Sequence, residues 1–348
     1  MQESISRRVQ LAIQDNVFPG CVVGVVHKNR ERLILPYGTF TYDALSPRVQ
    51  EDSLYDTASL TKSIPTASLA LMLIDQGKLH IQDKLIDYVP EFNNGDREAV
   101  LIKHLLTYTL DGYGLASQKQ KTADELLHTI LTQDFEKRPG TVFKYTNIPA
   151  ALLGLVIEKI TGSTLDALAD EYFFTPLKMS RTTFYPENFL LEEVVPTEID
   201  DWRGLVQGIV HDESAYIFKK EGRIMGHAGV FSTAGDILNF LEMLLNEGTF
   251  GDRTYFSREI VKLMGTNQIA ELNDFTGLGW ELNQPRFLGK NGTEHTFAKT
   301  GFTGTLCVCD VEKEVAYVIL SNRIYPKRPI DSVAINSLRA DLGEIILK

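Results

Sequence analysis

Ser59-Leu60-Thr61-Lys62 is the single S-x-x-K in the chain, and it opens an apolar run through Ile64, Leu69, Leu71, Met72 and Leu73. A serine hydroxyl is too weak a nucleophile to attack a carbonyl without help from a neighbouring base. Lys62, three residues further along a helix, would lie on the same face and bring an amine to that hydroxyl. The helix N-terminus would add unpaired N–H groups and partial positive charge. About one S-x-x-K is expected by chance, and Pro65 inside the run predicts a kink or a late helix start.

Two further sets of residues extend this chemistry. Tyr145-Thr146-Asn147 is the one Y-x-N, placed after Arg138-Pro139-Gly140 and before a helical pattern. A phenol titrates near 10, so Tyr145 acts as a base only if nearby cations favour its phenolate. A plainer reading makes Tyr145 a half-buried aromatic and Asn147 a helix N-cap. Lys299-Thr300-Gly301 is the one K-T-G, leading into Phe302-Thr303-Gly304-Thr305 on what reads as an edge strand. Lys299 would supply a second cation, Thr300 a hydroxyl for a substrate carboxylate, and Gly301 room for a substrate against the backbone. The plainer alternative is a strand entered from a turn, with Lys299 solvated.

The elements that must position these residues come largely from the two ends of the chain. Glu3 to Asn16 has apolar positions near a 3.6 period and reads as a helix. Cys21 to His27 and Arg32 to Gly38 are β-rich runs around the polar stretch 28–31, a hairpin pattern repeated by Thr305 to Asp310 and Val315 to Ser321. A last helix is predicted from about Ile330 to Leu347. Between them lie helical patterns at Ser59 to Gln76, Asn147 to Thr161 and Thr233 to Asn246. The fold class is therefore α+β: an antiparallel sheet flanked by helices, with an inserted, mainly helical lobe. With 348 residues the expectation is a single catalytic unit of two lobes. One lobe draws on about 1–58 and 250–348 plus parts of the middle, and the helical lobe spans about 78–230. The stretch from Phe184 to Asp212, with Pro186, Pro196 and the acidic Glu192-Glu193, reads as either a surface excursion or a wall of a substrate cleft.

The three motifs in this order have a chance probability of about one in a hundred or less. Together they resemble the serine β-lactamase and penicillin-binding protein superfamily. The Y-x-N form places the likeness with class C β-lactamases, D-alanyl-D-alanine carboxypeptidases and related esterases. The stretch from Gly226 to Asp236 resembles a G-G-L-F-S-T-A-x-D segment of that superfamily. The resemblance implies a serine hydrolase in which Ser59 attacks an acyl carbonyl and forms an acyl-enzyme. Lys62 and Tyr145 would share the proton, Tyr145 passing it to the leaving group and then activating water. Asn147 would orient the substrate amide, Lys299, Thr300 and Gly301 would line the substrate, and the backbone N–H groups of Ser59 and Phe302 would form the oxyanion hole. The implied substrate is a D-amino-acid peptide, a β-lactam or a small ester. The alternative is a penicillin-binding sensor or binding module with slow or no turnover. Tyr108, in Leu105 to Gly112, stands where the family usually has His, which bears on substrate preference.

Composition excludes other classes. Lys plus Arg number 35 against 46 Asp plus Glu, a formal charge of -11, so phosphate backbones and anionic lipid are repelled on average and nucleic acid is excluded as a partner. Cys21, Cys307 and Cys309 form no disulfide framework, and Cys307-Val308-Cys309 on a strand would turn both thiols to one side, into a core. No cofactor and no metal enters the implied scheme. Val210-His211-Asp212-Glu213-Ser214-Ala215 holds a His-Asp-Glu cluster, read as exposed loop residues in preference to metal ligands; the roles of His211, Glu213 and His227 stay open. No stretch approaches a membrane span, and Met1 to Arg8 shows no apolar core of an export signal. The expected location is cytoplasmic, although a trimmed periplasmic form would read the same.

Overall fold

The computed structural model describes residues 1–28, 32–93, 95–115, 119 and 121–348. In chain order, the elements that frame the site are α1 (Gln2–Gln14), β1 (Gly20–His27), β2 (Leu33–Gly38), α2 (Ser68–Asp75), α3 (Ile148–Thr161), α4 (Glu213–Lys220), α5 (Ala234–Leu245), β3 (Glu281–Leu282), β4 (Phe297–Thr300), β5 (Leu306–Asp310), β6 (Val315–Ser321) and α6 (Val333–Ile346). The strands form one antiparallel sheet in the order β2-β1-β6-β5-β4-β3. Both chain ends feed it: Val23 on β1 stands opposite Ile319 on β6, and Cys307 on β5 opposite Val318. The residues 29–31 that join β1 to β2 lie outside the described residues.

Alternation along each strand sorts side chains to two faces, and both faces are buried. Val23, Val25, Val308, Tyr317 and Ile319 pack against Ile5, Val9 and Ala12 of α1 and Ile335, Leu338 and Leu342 of α6. On the opposite face, Val22, Val26, Cys307, Cys309, Val318 and Leu320 join the larger core that contains α5, α2 and α3. This double burial explains why the strands are continuous apolar runs. All three cysteines are buried and free, the two on β5 on one face as the spacing requires.

The segment expected as one helix from Ser59 to Gln76 is three pieces. A 3-10 turn covers Ala58–Lys62, a wider turn Ser63–Ala67, and only Ser68–Asp75 is regular α-helix. The break is at Ile64, whose backbone is extended (φ -119°, ψ 102°). Pro65 is the reason, because its ring disfavours the α conformation in the residue before it. The K-T-G strand, expected at an edge, lies next to the edge. β3 pairs with Phe297 and Ala298 only, which leaves Lys299 and Thr300 beyond it. The 184–212 stretch forms short turns and a hairpin, Glu198–Asp200 with Gly204–Val206, and delivers His211 and Asp212 to a cavity wall.

Helix α5 seats Leu238 directly over Gly24 of β1, where a side-chain carbon on Gly24 would stand 3.0 Å from both Leu238 and Val318. Leu238 is fully buried. Leu238→Ala is expected to lower stability by about 2–5 kcal/mol, read as a reduced urea midpoint. A loss below about 1 kcal/mol would mean that the helix does not depend on this contact.

Candidate active site

Ser59 sits on the 3-10 turn directly after Ala58, whose φ of +49° is a left-handed conformation that a side chain disfavours. Asp56 holds that conformation. One carboxylate oxygen accepts from the Ala58 N–H at 2.8 Å and the other from the His211 N–H at 2.7 Å. Burial pushes the Asp56 carboxyl up to about 6 against those two donors.

Lys62 is 1% exposed, and its Nζ donates to the His227 carbonyl at 2.8 Å and lies 2.8 Å from Ser59 Oγ. Burial lowers its pKa to about 7, and the Lys299 ammonium pushes the same way against Asp212 and Glu281. Lys299 is fully buried, contrary to the solvated reading. Its ammonium lies 4.4 Å from the ring centres of both Tyr108 and Tyr145, 3.3 Å from the Tyr108 hydroxyl and 3.4 Å from Glu281. Two aromatic rings and one carboxylate thus surround this side chain.

Tyr145 is 41% exposed as a residue, with Lys62 5.4 Å from its ring and the Tyr108 ring 5.0 Å away. The cations that would favour a phenolate are therefore present. Even so, burial of its hydroxyl end outweighs Lys299, and the phenol is pushed above its ordinary value. The protonated form is the stable one near neutral pH. Asn147 precedes α3, but its side chain does not cap that helix; Nδ2 donates to Asp212 at 3.0 Å.

The opposite wall is the turn from Gly301 to Thr305. A side-chain carbon on Gly301 would stand 2.5 Å from the Thr57 carbonyl and 2.0 Å from the Thr305 hydroxyl, so only glycine lets the two segments meet. Thr303 and Thr305 donate their hydroxyls to the carbonyls of Asp56 and Thr57, each at 2.9 Å. Arg323 Nε donates to the Phe302 carbonyl at 3.0 Å, and Arg339 donates to the carbonyls of Gly301 and Thr305 at 3.1 and 2.7 Å.

These residues enclose a cavity of about 340 Å³ lined by Ser59, Tyr145, Asn147, Thr300, Gly301 and Phe302, among others. The structure thus brings Ser59, Lys62, Tyr145, Asn147, Lys299, Thr300, Gly301 and Phe302 to one cleft. Sequence reasoning missed Glu281 and the arginines. Arg323 and Arg339 also line the cavity, 8% and 4% exposed, and neither forms an ion pair among the described residues. Burial lowers Arg339 to about 9, still a cation near neutral pH, and its Nε has no hydrogen-bond partner. The signal for Arg339 was a charge within the apolar stripe Ile335, Leu338 and Leu342 of a predicted helix.

The His-Asp-Glu cluster is not an exposed loop. His211 and Glu213 are 3% and 4% exposed. His211 stacks on Phe302 with ring centres 5.5 Å apart, and its Nδ1 lies 3.5 Å from Glu198. Burial lowers this imidazole to about 4. Glu213 accepts from Arg328 at 2.6 Å, and Arg328 also grips Glu198 at 2.6 and 2.7 Å.

Comparison with known proteins agrees with this geometry. The chain is 29% identical over 327 residues to the Escherichia coli (strain K12) protein named "Putative D-alanyl-D-alanine carboxypeptidase", covering 84% of this chain and 74% of that one. Its fold is similar to that of EstCE1, described as a hydrolase with promiscuous acyltransferase activity, at a TM-score of 0.73, 19% identity and coverage of 97% and 99%. The octameric penicillin-binding protein homologue from Pyrococcus abyssi aligns with a TM-score of 0.73 and 21% identity, over 97% of this chain and 77% of that one. At such identities the solved structures speak for the fold alone. The Beta-lactamase family, however, matches residues 5–340, nearly the whole sequence, and the chain belongs to it.

Proposed function

We propose that the chain is a serine hydrolase that cleaves an amide or ester through a Ser59 acyl-enzyme, with a peptide ending in a D-amino acid as its favoured substrate. The observation that carries this reading is the buried Lys62 amine, 2.8 Å from Ser59 Oγ and lowered to about 7. In its neutral form the amine offers a lone pair to the hydroxyl proton. The Ser59 oxygen then bonds to the substrate carbonyl carbon as that proton passes to Lys62. Collapse of the tetrahedral adduct breaks the bond to the leaving amine or alcohol, which leaves with a proton delivered through the Tyr145 hydroxyl. Water next attacks the ester carbon, its proton returns through the same groups, and Ser59 is freed. Because the phenol is held protonated, we assign the base role to Lys62 and a relay role to Tyr145. The N–H groups of Ser59 and Phe302 serve as oxyanion donors, each worth about 10²–10³ in rate. The threonine bridges between their two segments support that role.

Two arginines without carboxylate partners favour a substrate with its own carboxylate, held by Thr300, Arg339 and Arg323. The printed name of the Escherichia coli relative points to the same class.

Ser59→Ala is expected to lower turnover of nitrocefin, p-nitrophenyl acetate or a D-Ala-D-Ala peptide by about 10³–10⁶. Intact-mass spectrometry after incubation with a β-lactam should find an adduct on wild type and none on the variant: a transient adduct means an enzyme that turns the β-lactam over, a permanent one a sensor or an inhibited peptidase. Since Lys62 must be neutral to accept a proton, kcat/KM should rise with pH through about 7. A profile with no limb in that region would remove Lys62 as the base. Arg339→Gln should reduce kcat/KM for the D-Ala-D-Ala peptide about 10–100-fold more than for p-nitrophenyl acetate. Equal losses on both substrates would discard the carboxylate role.

A further inference from the structure

Tyr108 is a bulky residue in a conformation that bulky residues avoid. Its φ is +54°, in the left-handed region where a side chain crowds its own backbone. The peptide that follows it is fixed at both ends, although it lies in a turn just past the short helix Ile102–Leu106. The Thr109 N–H donates to the His104 carbonyl at 3.0 Å, and the Tyr108 carbonyl accepts from the Lys144 N–H at 2.9 Å, which ties the turn to the residue before Tyr145. A third bond runs from the Gly140 N–H to the Thr109 carbonyl at 2.9 Å. The hydroxyls of Thr107 and Thr109, both buried, stand 2.9 Å apart on either side. A disfavoured conformation held by so many bonds points to a side chain whose direction matters.

That direction is toward Tyr145 and Lys299. Tyr108 is 2% exposed and lies behind Tyr145, outside the lining of the cavity, so it does not meet a substrate there. Its ring centre is 5.0 Å from that of Tyr145, with the planes inclined at 46°. Lys299 Nζ sits 4.4 Å from both ring centres and donates to the Tyr108 hydroxyl at 3.3 Å. Tyr145 itself belongs to an irregular stretch, 142–146, that no helix or strand holds. Among the described residues its only aromatic neighbour is Tyr108. We propose that Tyr108 is a positioning residue: its ring, fixed from the left-handed turn, braces the Tyr145 ring and so keeps the Tyr145 hydroxyl at the leaving group. This rests on Tyr145 as the proton relay. Removing the brace opens space beside Tyr145 into which the phenol can tilt.

The test is kcat/KM on three acetate esters with uncharged leaving groups, p-nitrophenyl, phenyl and trifluoroethyl acetate, for wild type, Tyr108→Asn, Tyr108→Leu, Tyr108→Phe and Tyr145→Phe. p-Nitrophenolate leaves without a proton, whereas trifluoroethoxide gains from one delivered in the transition state. Asparagine tolerates the left-handed turn and leucine keeps apolar bulk, so the ring is removed in two ways with different demands on the fold. Both variants should lose about 10–100-fold more on trifluoroethyl acetate than on p-nitrophenyl acetate, and Tyr145→Phe at least as much. Tyr108→Phe keeps the ring and should retain the wild-type ratio. A merely structural role would lower all three esters equally. Equal losses across the series in the ring-removing variants, with Tyr145→Phe still selective against the alkyl ester, would overturn the inference and leave the relay in place. A ratio shifted as far by Tyr108→Phe would overturn it too, since an oxygen and not a ring would be responsible. Should Tyr145→Phe show no such selectivity, the relay assignment falls and this inference with it.

Discussion

Two ammonium groups share one buried site with, among the described residues, a single carboxylate close enough to pair, and the rest of the cleft is organised around that imbalance. Lys299 holds the carboxylate, Glu281, and two aromatic faces. Among the described residues Lys62 has only a hydroxyl and a carbonyl within hydrogen-bond reach, neutral partners that stabilise a cation far less. Desolvating a second cation beside the first costs several kcal/mol, so the amine at Lys62 gives up its proton near pH 7. The division of labour between two chemically identical side chains follows from their neighbours. One is wrapped by a carboxylate and two aromatic faces; the other lies 2.8 Å from the Ser59 hydroxyl with its pKa lowered to about 7.

That arrangement needs backbone precision that neither end of the chain has alone. The Ser59 turn at 56–59 and the turn at 301–305 are separated by well over two hundred residues, and threonine hydroxyls bind them carbonyl by carbonyl. Asp56 adds the second constraint. By accepting from both the Ala58 and His211 amides it holds a left-handed residue next to Ser59, a conformation costing about 1–3 kcal/mol in isolation. The six-stranded sheet is rigid because both faces are buried, and it carries the 301–305 turn between adjacent strands. A site assembled from these two turns keeps its geometry only while the terminal strands stay paired.

The order of the motifs, the sheet made from both termini and the burial of the cysteines were legible because each is a matter of local pattern: spacing, alternation and turn residues. What was not legible depended on partners distant in sequence. Lys299 was legible as a second cation of the site, but its burial between Glu281 and Tyr108 was not, because no local feature announces those partners across the sheet. His211 and Glu213 looked like loop residues until Glu198, Arg203 and Arg328 were brought around them. Asn147 satisfied the pattern of an N-cap and was drawn instead to Asp212. Tyr145 showed its place but not its proton, since the balance between desolvation and one lysine is decided by three-dimensional burial. The break at Ile64 is the opposite case, a local rule about the residue before proline that overrode a convincing apolar period.

Net charge and local charge run in opposite directions here. The chain as a whole carries -11, which repels anions at long range, yet the cleft is lined by Arg323 and Arg339, which have no carboxylate within ion-pair distance among the described residues. At about 8–10 Å the long-range field is already screened at physiological salt, whereas the buried arginines act at contact and in a medium of low polarity. An anionic group gains there from two hydrogen-bonding cations held rigid by backbone carbonyls before it arrives, so little ordering remains to be done on binding. An anion reaching this wall would therefore be read by short-range donors and not by steering. It is consistent that the same two guanidiniums fasten the 301–305 turn, since a substrate anion drawn to them is drawn toward the amide of Phe302.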